Sequence, residues 1–347
     1  MKHKINRIVE VSVEELVYLG KVSYGEFYTQ PSAFKKAWEP GYRALSEMFG
    51  GDGVKEYVAM PHITCPHLSY GHLGCIGAQI RYPDDSEPNM ARMVDSVEDG
   101  IKWLERSWDF AKSDMFRFYE SYYQKLREDY PGRNIGFSGL GKQGPITSAV
   151  LMRGQDFYID MYEKPEESKK FLRLLTDSII DFDKFIRKVN NIAATDDAGI
   201  GLTDDFAGFV APDMYGEFVI PYWNQYYEAM TVTGFRYMHC EGMSRAHLPY
   251  LAKSKIGYFQ PSVSPLLTCR MLAEDLKDLN IQYDWMLATF DLIAMDDAQI
   301  RQWAFDTTVT GVSLIRTQTD RYLFEYHGPE KIYIWLNAFE KLEQSET

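Results

Sequence analysis

Cysteine is scarce: the 347 residues contain four, Cys65, Cys75, Cys240 and Cys269. That is too few to staple so long a chain, so a disulfide scaffold is excluded, a reducing compartment is expected, and each thiol serves by default as a small buried hydrophobe. Long apolar runs are missing as well. Nothing approaches the roughly 18 consecutive apolar residues of a membrane span, and the start MKHKINRIVEVSVEEL has no unbroken apolar segment leading to a small-residue cleavage site. No membrane association is expected, and the expected location is the cytoplasm. Basic clusters are absent too. Lys and Arg number 37 against 50 Asp and Glu, a net charge of −13 that repels phosphate backbones, so no nucleic-acid partner is expected. Gly136-Phe137-Ser138-Gly139-Leu140-Gly141 lacks both the P-loop Lys-Ser/Thr and the Rossmann spacing. The Gly-x-Ser-x-Gly elbow of serine hydrolases does not occur.

What is present is an ordinary globular composition, 45% hydrophobic and 25% charged, with aromatics at 15%. Many of the 24 Tyr and 20 Phe lie near Gly and Pro rather than in periodic stripes, which suits either an aromatic-lined cavity or half-buried wall positions. From residue 130 onward, short β-like runs alternate with helical ones. The spacing predicts strands at Asn134–Ser138, Ala198–Thr203, Gly234–Cys240, Lys255–Gln260, Ile281–Leu287 and Gly311–Arg316. After Pro165, the residues Phe171, Leu172, Leu175, Ile179, Phe182 and Ile186 make one helical face. Pro212 opens a helix reaching Met230, Thr268 caps one running to Leu279, and Asp296 caps one through Trp303. Such alternation implies a parallel sheet with helical crossovers. The expected fold is α/β, a (β/α)8 TIM barrel with an N-terminal extension: one domain over residues 1–347, with 1–60 as a cap and a long helical stretch from Met90 to Tyr130.

Barrel chemistry sits where strands end, at the C-terminal face. Two such ends carry reactive groups. Asp204 and Asp205 follow the run Gly201-Leu202-Thr203, and His239-Cys240-Glu241 follows Phe235-Arg236-Tyr237-Met238. Alternation along a strand puts His239 and Glu241 on one side and Cys240 on the other. An imidazole and a carboxylate so placed are two of the three protein ligands of a catalytic zinc site, or equally a buried histidine–carboxylate hydrogen bond. Between Pro61 and Cys75 lie three His and two Cys. Their spacing matches no paired zinc pattern, and the better reading is a loop at the barrel mouth in which His72 and Tyr70 touch ligand.

Several segments, in order and spacing, resemble the uroporphyrinogen decarboxylase superfamily. They are Gly144-Pro145-Ile146-Thr147, Leu151-Met152-Arg153-Gly154, Pro165-Glu166, Asp204-Asp205, Ala211-Pro212-Asp213-Met214-Tyr215, Phe218-Val219-Ile220-Pro221-Tyr222, His239-Cys240-Glu241-Gly242 and Leu248-Pro249-Tyr250-Leu251. The superfamily's fold is the (β/α)8 barrel, and it includes corrinoid-dependent methyltransferases. The decarboxylase branch matches less well, because its N-terminal arginine-rich motif for porphyrin carboxylates is missing. The methyltransferase branch implies zinc held by His-x-Cys and a further Cys on the last strand. Here Glu241 stands where that first thiolate falls, and Ser313-Leu314-Ile315-Arg316-Thr317 carries no cysteine. Carboxylate in place of thiolate makes a harder, more electrophilic metal, suited to polarising oxygen.

The resemblance therefore implies O-demethylation of a methoxylated aromatic, the methyl group passing to Co(I) of a separate corrinoid protein. Zinc would be bound by His239 and Glu241, with Asp284 one candidate among several for the third ligand, Asp204 or Asp205 giving a proton or orienting substrate, and Arg316 gripping a substrate carboxylate. No Asp-x-His-x-x-Gly corrinoid motif is present, so cobalamin comes with the partner. A homodimer is compatible with this reading. The alternatives are a metal-free decarboxylase and a non-catalytic small-molecule-binding barrel.

Overall fold

The computed structural model describes residues 5–51, 53–231, 234–326 and 329–345. Nine strands occur among them: β1 (Arg7–Val11), β2 (Val58–Ala59), β3 (Ile80–Arg81), β4 (Asn89–Met90), β5 (Ile200–Thr203), β6 (Arg236–His239), β7 (Tyr258–Gln260), β8 (Gln282–Leu287) and β9 (Leu314–Thr319). Two compact units divide the chain, one built from its two ends, up to Ile63 and from Pro261 on, the other from Thr64–Gln260.

In the first unit the strands lie in the order β2-β1-β9-β8, every pair parallel. The first sixty residues thus contribute two strands to this sheet. Arg316 of β9 stands beside Ile8 of β1 and Met286 of β8. The helices between strands start where the sequence signals them. Ser12 caps Val13–Gly20 by accepting the Glu14 N–H, Thr268 caps Cys269–Lys277 through Met271 N–H, and Asp296 forms a capping box with Gln299 ahead of Asp297–Thr308.

In the second unit β5, β6 and β7 run parallel, with His239 level with Thr203 on one side and Gln260 on the other. The helix Pro165–Val189 buries Phe171, Leu172, Leu175, Ile179 and Phe182, the face its periodicity announces. β3 and β4 form a two-residue antiparallel pair.

Three expectations are corrected. Asn134–Ser138 is not a strand: the Phe137 ring packs against Phe116 and Tyr123, and its carbonyl accepts from the Asn190 side chain instead of a neighbouring strand. The stretch from Met90 to Tyr130 breaks into Val97–Leu104 and Asp114–Asp129, because Ser113 caps the second helix afresh. The Pro212–Met230 segment is also interrupted. Pro221 has no N–H to carry a helix across Val219, so Tyr215–Phe218 ends and Ile220–Met230 begins. No helix among the described residues is long and apolar enough to cross a membrane.

Candidate functional site

The ends of β5, β6 and β7 bring one imidazole and two carboxylates together. His239, the last residue of β6, points Nδ1 at the side-chain amide of Gln260, the last residue of β7, 2.5 Å from Oε1. An amide oxygen accepts, so Nδ1 carries the hydrogen and the ring orientation is set. Nε2 then faces Asp205 Oδ1 at 3.3 Å and Glu241 Oε1 at 3.8 Å. Asp205 Oδ1 also accepts the Glu241 N–H at 3.2 Å, which ties the turn after β6 to the loop after β5. Burial works against a charged ring here, yet the hydrogen bond and charge of Asp205, the Gln260 amide and the Glu241 charge outweigh it. The pKa of His239 is raised above the usual 6.5. The arrangement favours the charged ring next to carboxylate oxygens, and Nε2 can deliver a proton.

Asp204 does something different from its neighbour. It is fully buried, and its carboxylate accepts the Thr147 N–H at 2.7 Å, the Ile146 N–H at 3.4 Å and the Trp223 indole N–H at 2.7 Å. Ile146 and Thr147 belong to the first turn of the helix Pro145–Arg153, whose cap residue, Gly144, has no side chain to satisfy those donors. A Cβ at Gly144 would lie 2.4 Å from the Asp204 Cβ. Asp204 is therefore the cap of that helix, supplied from a different strand end, and glycine is the residue that lets it approach. Burial lifts its carboxyl from 3.8 to about 6 despite these donors. The Cys240 thiol, also buried, donates to the Asp204 carbonyl at 3.1 Å and is pushed well above its ordinary range.

In the first unit, Arg316 is flanked by two carboxylates. One guanidinium nitrogen donates to Asp284 Oδ2 at 2.9 Å and another to Glu10 Oε1. Arg316 was expected to end its strand; it is instead the third residue of β9, as Asp284 is of β8. Two acidic partners already neutralise the cation that was expected to grip a substrate carboxylate.

The zinc set can be tested on these contacts. His239 and Glu241 are side by side, and the Nδ1 bond to Gln260 is the kind of outer support a metal-bound histidine has. Asp284 is engaged by Arg316, and the Cys240 thiol is protonated and turned to backbone carbonyls. Among the described residues no group of three or more His, Cys, Asp or Glu side chains is arranged to hold a metal ion. Asp205, the third side chain at Nε2, is spent on the His239 ring and on the Glu241 N–H, so the three are arranged as an ion-paired cluster and not as the ligands of a catalytic zinc site.

The family model described as uroporphyrinogen decarboxylase (URO-D) matches residues 71–267, more than half the chain. The chain belongs to the URO-D family. Within that match lie Asp204, Asp205, His239, Gln260 and Glu241. A methyltransferase from Methanosarcina mazei is similar in structure, with a TM-score of 0.67 at 14% identity over 98% of this chain and 94% of that one. A B12-independent methionine synthase from Shewanella sp. W3-18-1, solved in complex with selenomethionine, has a TM-score of 0.38 at 13% identity over 78% of this chain and 74% of its own. At 14% identity the likeness to the Methanosarcina protein is one of fold. No curated protein matches the chain.

Of the other expected ligand contacts in this URO-D member, His72 is in the core. It is 1% exposed, bonded through Nε2 to the Ser178 hydroxyl at 2.8 Å and packed against Phe110 and Phe182. Burial, with the Lys142 charge, lowers its pKa to about 3, so the ring is neutral. Tyr70 is half-buried at the start of the Gly71–Cys75 helix, its hydroxyl made less acidic by burial and by Glu87. Two residues escaped the sequence reading. Gln260 is the one polar residue in Tyr258-Phe259-Gln260, and its place beside His239 follows from parallel register. Glu10 is hidden in Arg7-Ile8-Val9-Glu10-Val11, a short strand with a charged residue toward each end.

Proposed function

We propose that this URO-D family chain is a methyltransferase acting on a methoxylated aromatic, in a (β/α)8 barrel of the family type. A separate corrinoid protein supplies Co(I) as the methyl acceptor. The observation that carries the reading is the His239–Asp205–Glu241 cluster held at the ends of β5 and β6; the fold shared with a methyltransferase supports it.

When methyl leaves an aryl ether, the oxygen departs as a phenolate and needs a proton or a Lewis acid. This chain has a proton source in place. His239, oriented by Gln260 and kept charged by Asp205 and Glu241, gives its Nε2 proton to the departing oxygen, so the products are a phenol and the methylated acceptor. Asp205 and Glu241 hold the imidazolium before transfer and favour its return to the charged form afterwards. Asp204 keeps the helix Pro145–Arg153 and the loop after β5 in place. Because these side chains are not arranged as a ligand set among the described residues, no step here runs through zinc. Its role is decided by metal analysis of the protein alongside turnover.

Decarboxylation, which the family name includes, is the second reading. A polycarboxylate substrate requires several free cations, and Arg316 is already paired with Glu10 and Asp284. The test is to mix the purified chain with a reduced corrinoid protein and 2-methoxyphenol under anaerobic conditions. Catalytic release of the diphenol with loss of the Co(I) absorbance is expected. No release from any methoxylated ring, together with carbon dioxide release from a carboxylated one, overturns the reading.

A further inference from the structure

The loop after β5 presents an aromatic side chain that the proton chemistry does not use. Asp205–Phe209 forms a short 3-10 turn, and its backbone is pinned along its length. The Thr147 hydroxyl accepts the Phe206 N–H at 3.0 Å, Tyr158 donates to the Phe206 carbonyl at 2.9 Å, and Tyr215 donates to the Ala207 carbonyl at 2.7 Å. Gly208 is pressed onto the turn after β6: a Cβ there would stand 2.2 Å from the Glu241 carbonyl oxygen and 2.8 Å from the Gly242 carbonyl carbon. Gly242 takes a positive φ of 73°, and a Cβ on it would meet the Phe209 ring at 3.6 Å. The Phe209 ring thus lies over the residue that follows Glu241.

This loop leaves Phe209 66% exposed; among the described residues its aromatic neighbour is the Phe206 ring, 6.1 Å away at 53°. Three hydrogen bonds to the loop backbone hold it in place, with the ring turned outward beside the histidine and carboxylates of the site. Side chains of this kind bind flat apolar groups by stacking, and a ring fixed in advance loses little entropy on binding.

We propose that Phe209, backed by Phe206, is the shelf on which the aryl ring of the methyl donor stacks, making Phe209 the residue that selects planar over saturated ethers. The proposal rests on the methyl-transfer reading for the class of ligand, but its test does not need turnover.

Binding is measured by calorimetry on the full chain, without corrinoid, using 2-methoxyphenol and its saturated counterpart 2-methoxycyclohexanol. The wild type is expected to prefer the planar ligand about five- to tenfold. Phe209→Leu, which keeps an apolar surface but removes the π face, should abolish that preference, and Phe209→Tyr should retain it. Because the ring is exposed, both variants should keep the wild-type urea midpoint. A wild type that binds neither ligand, or shows no preference, or a Phe209→Leu protein that keeps the preference, overturns the shelf. Planar-selective binding without methyl transfer would overturn the proposed reaction and leave the shelf standing.

Discussion

Replacing Asp204 by asparagine separates the charge of this buried group from its shape. The amide keeps one oxygen for either the Thr147 N–H or the Trp223 indole N–H, both at 2.7 Å in the native protein. Its NH2 faces the other donor, so one short bond is lost whichever way the amide turns. A buried donor left without a partner costs about 1–3 kcal/mol, and this loss is the same at every pH. The carboxylic acid behaves differently. Burial moves it from 3.8 to about 6, so ionising it in the folded protein costs about 3 kcal/mol more than in the unfolded chain. Between those values the native state holds a proton that the unfolded chain has released. Its stabilising contribution is complete below about pH 4 and disappears as pH rises through about 6. At pH 4 the Asp204→Asn protein should be less stable than wild type by about 1–3 kcal/mol. By pH 7.5 the gap should close by up to about 3 kcal/mol and reach parity or reverse. Urea midpoints of both proteins at pH 4, 5.5 and 7.5 measure this directly. Parallel pH profiles would refute the argument, because they would mean that the carboxyl does not titrate differently in the folded state.

Three further substitutions test other parts of the structure. His72, neutral in the core with a pKa lowered to about 3, sits opposite an unfolded-state imidazole that takes up a proton below about 6.5. Wild-type stability therefore falls as pH drops from 6.5 toward 3, and His72→Phe should flatten that fall in urea titrations while leaving ligand binding unchanged. Arg316→Met removes the cation between Glu10 and the buried Asp284, and should lower stability by about 2–4 kcal/mol after allowing for the partial exposure of Glu10. An unchanged urea midpoint would contradict that pairing. Gly208→Ala forces a Cβ against the Glu241 carbonyl, so the loop must move; 2-methoxyphenol binding should weaken more than tenfold, beyond what a ring contact alone supplies.

The α/β alternation was legible because the runs after residue 195 are β-branched and aromatic and sit between capped helices; β5 to β9 all fall on or beside their expected positions. β2 was not, since two residues, Val58 and Ala59, carry no period. Asn134–Ser138 misled because Phe137 is apolar for a loop packing reason rather than a strand one. At the site, His239 and Glu241 were both named from the sequence, but strand alternation does not place Glu241, which lies in the turn after β6. Which of two adjacent aspartates faces the imidazole was not legible. Asp204 and Asp205 are the same residue type, and only the capping need of a helix some sixty positions earlier, at Gly144, turns Asp204 inward. Arg316 read as a free cation because its partners lie on two other strands, one of them about 300 residues away in sequence at Glu10.

The most direct test of the account is the rate of Co(I) consumption with 2-methoxyphenol and a reduced corrinoid protein, compared between wild type and His239→Gln, with the urea midpoint as the control for folding. If His239 supplies the proton to the leaving oxygen, the variant should be slower by about 10²–10⁴-fold. The loss should be much smaller for a nitro-substituted methoxybenzene, whose phenolate departs without a proton. A folded His239→Gln protein that consumes Co(I) at the wild-type rate would contradict the account.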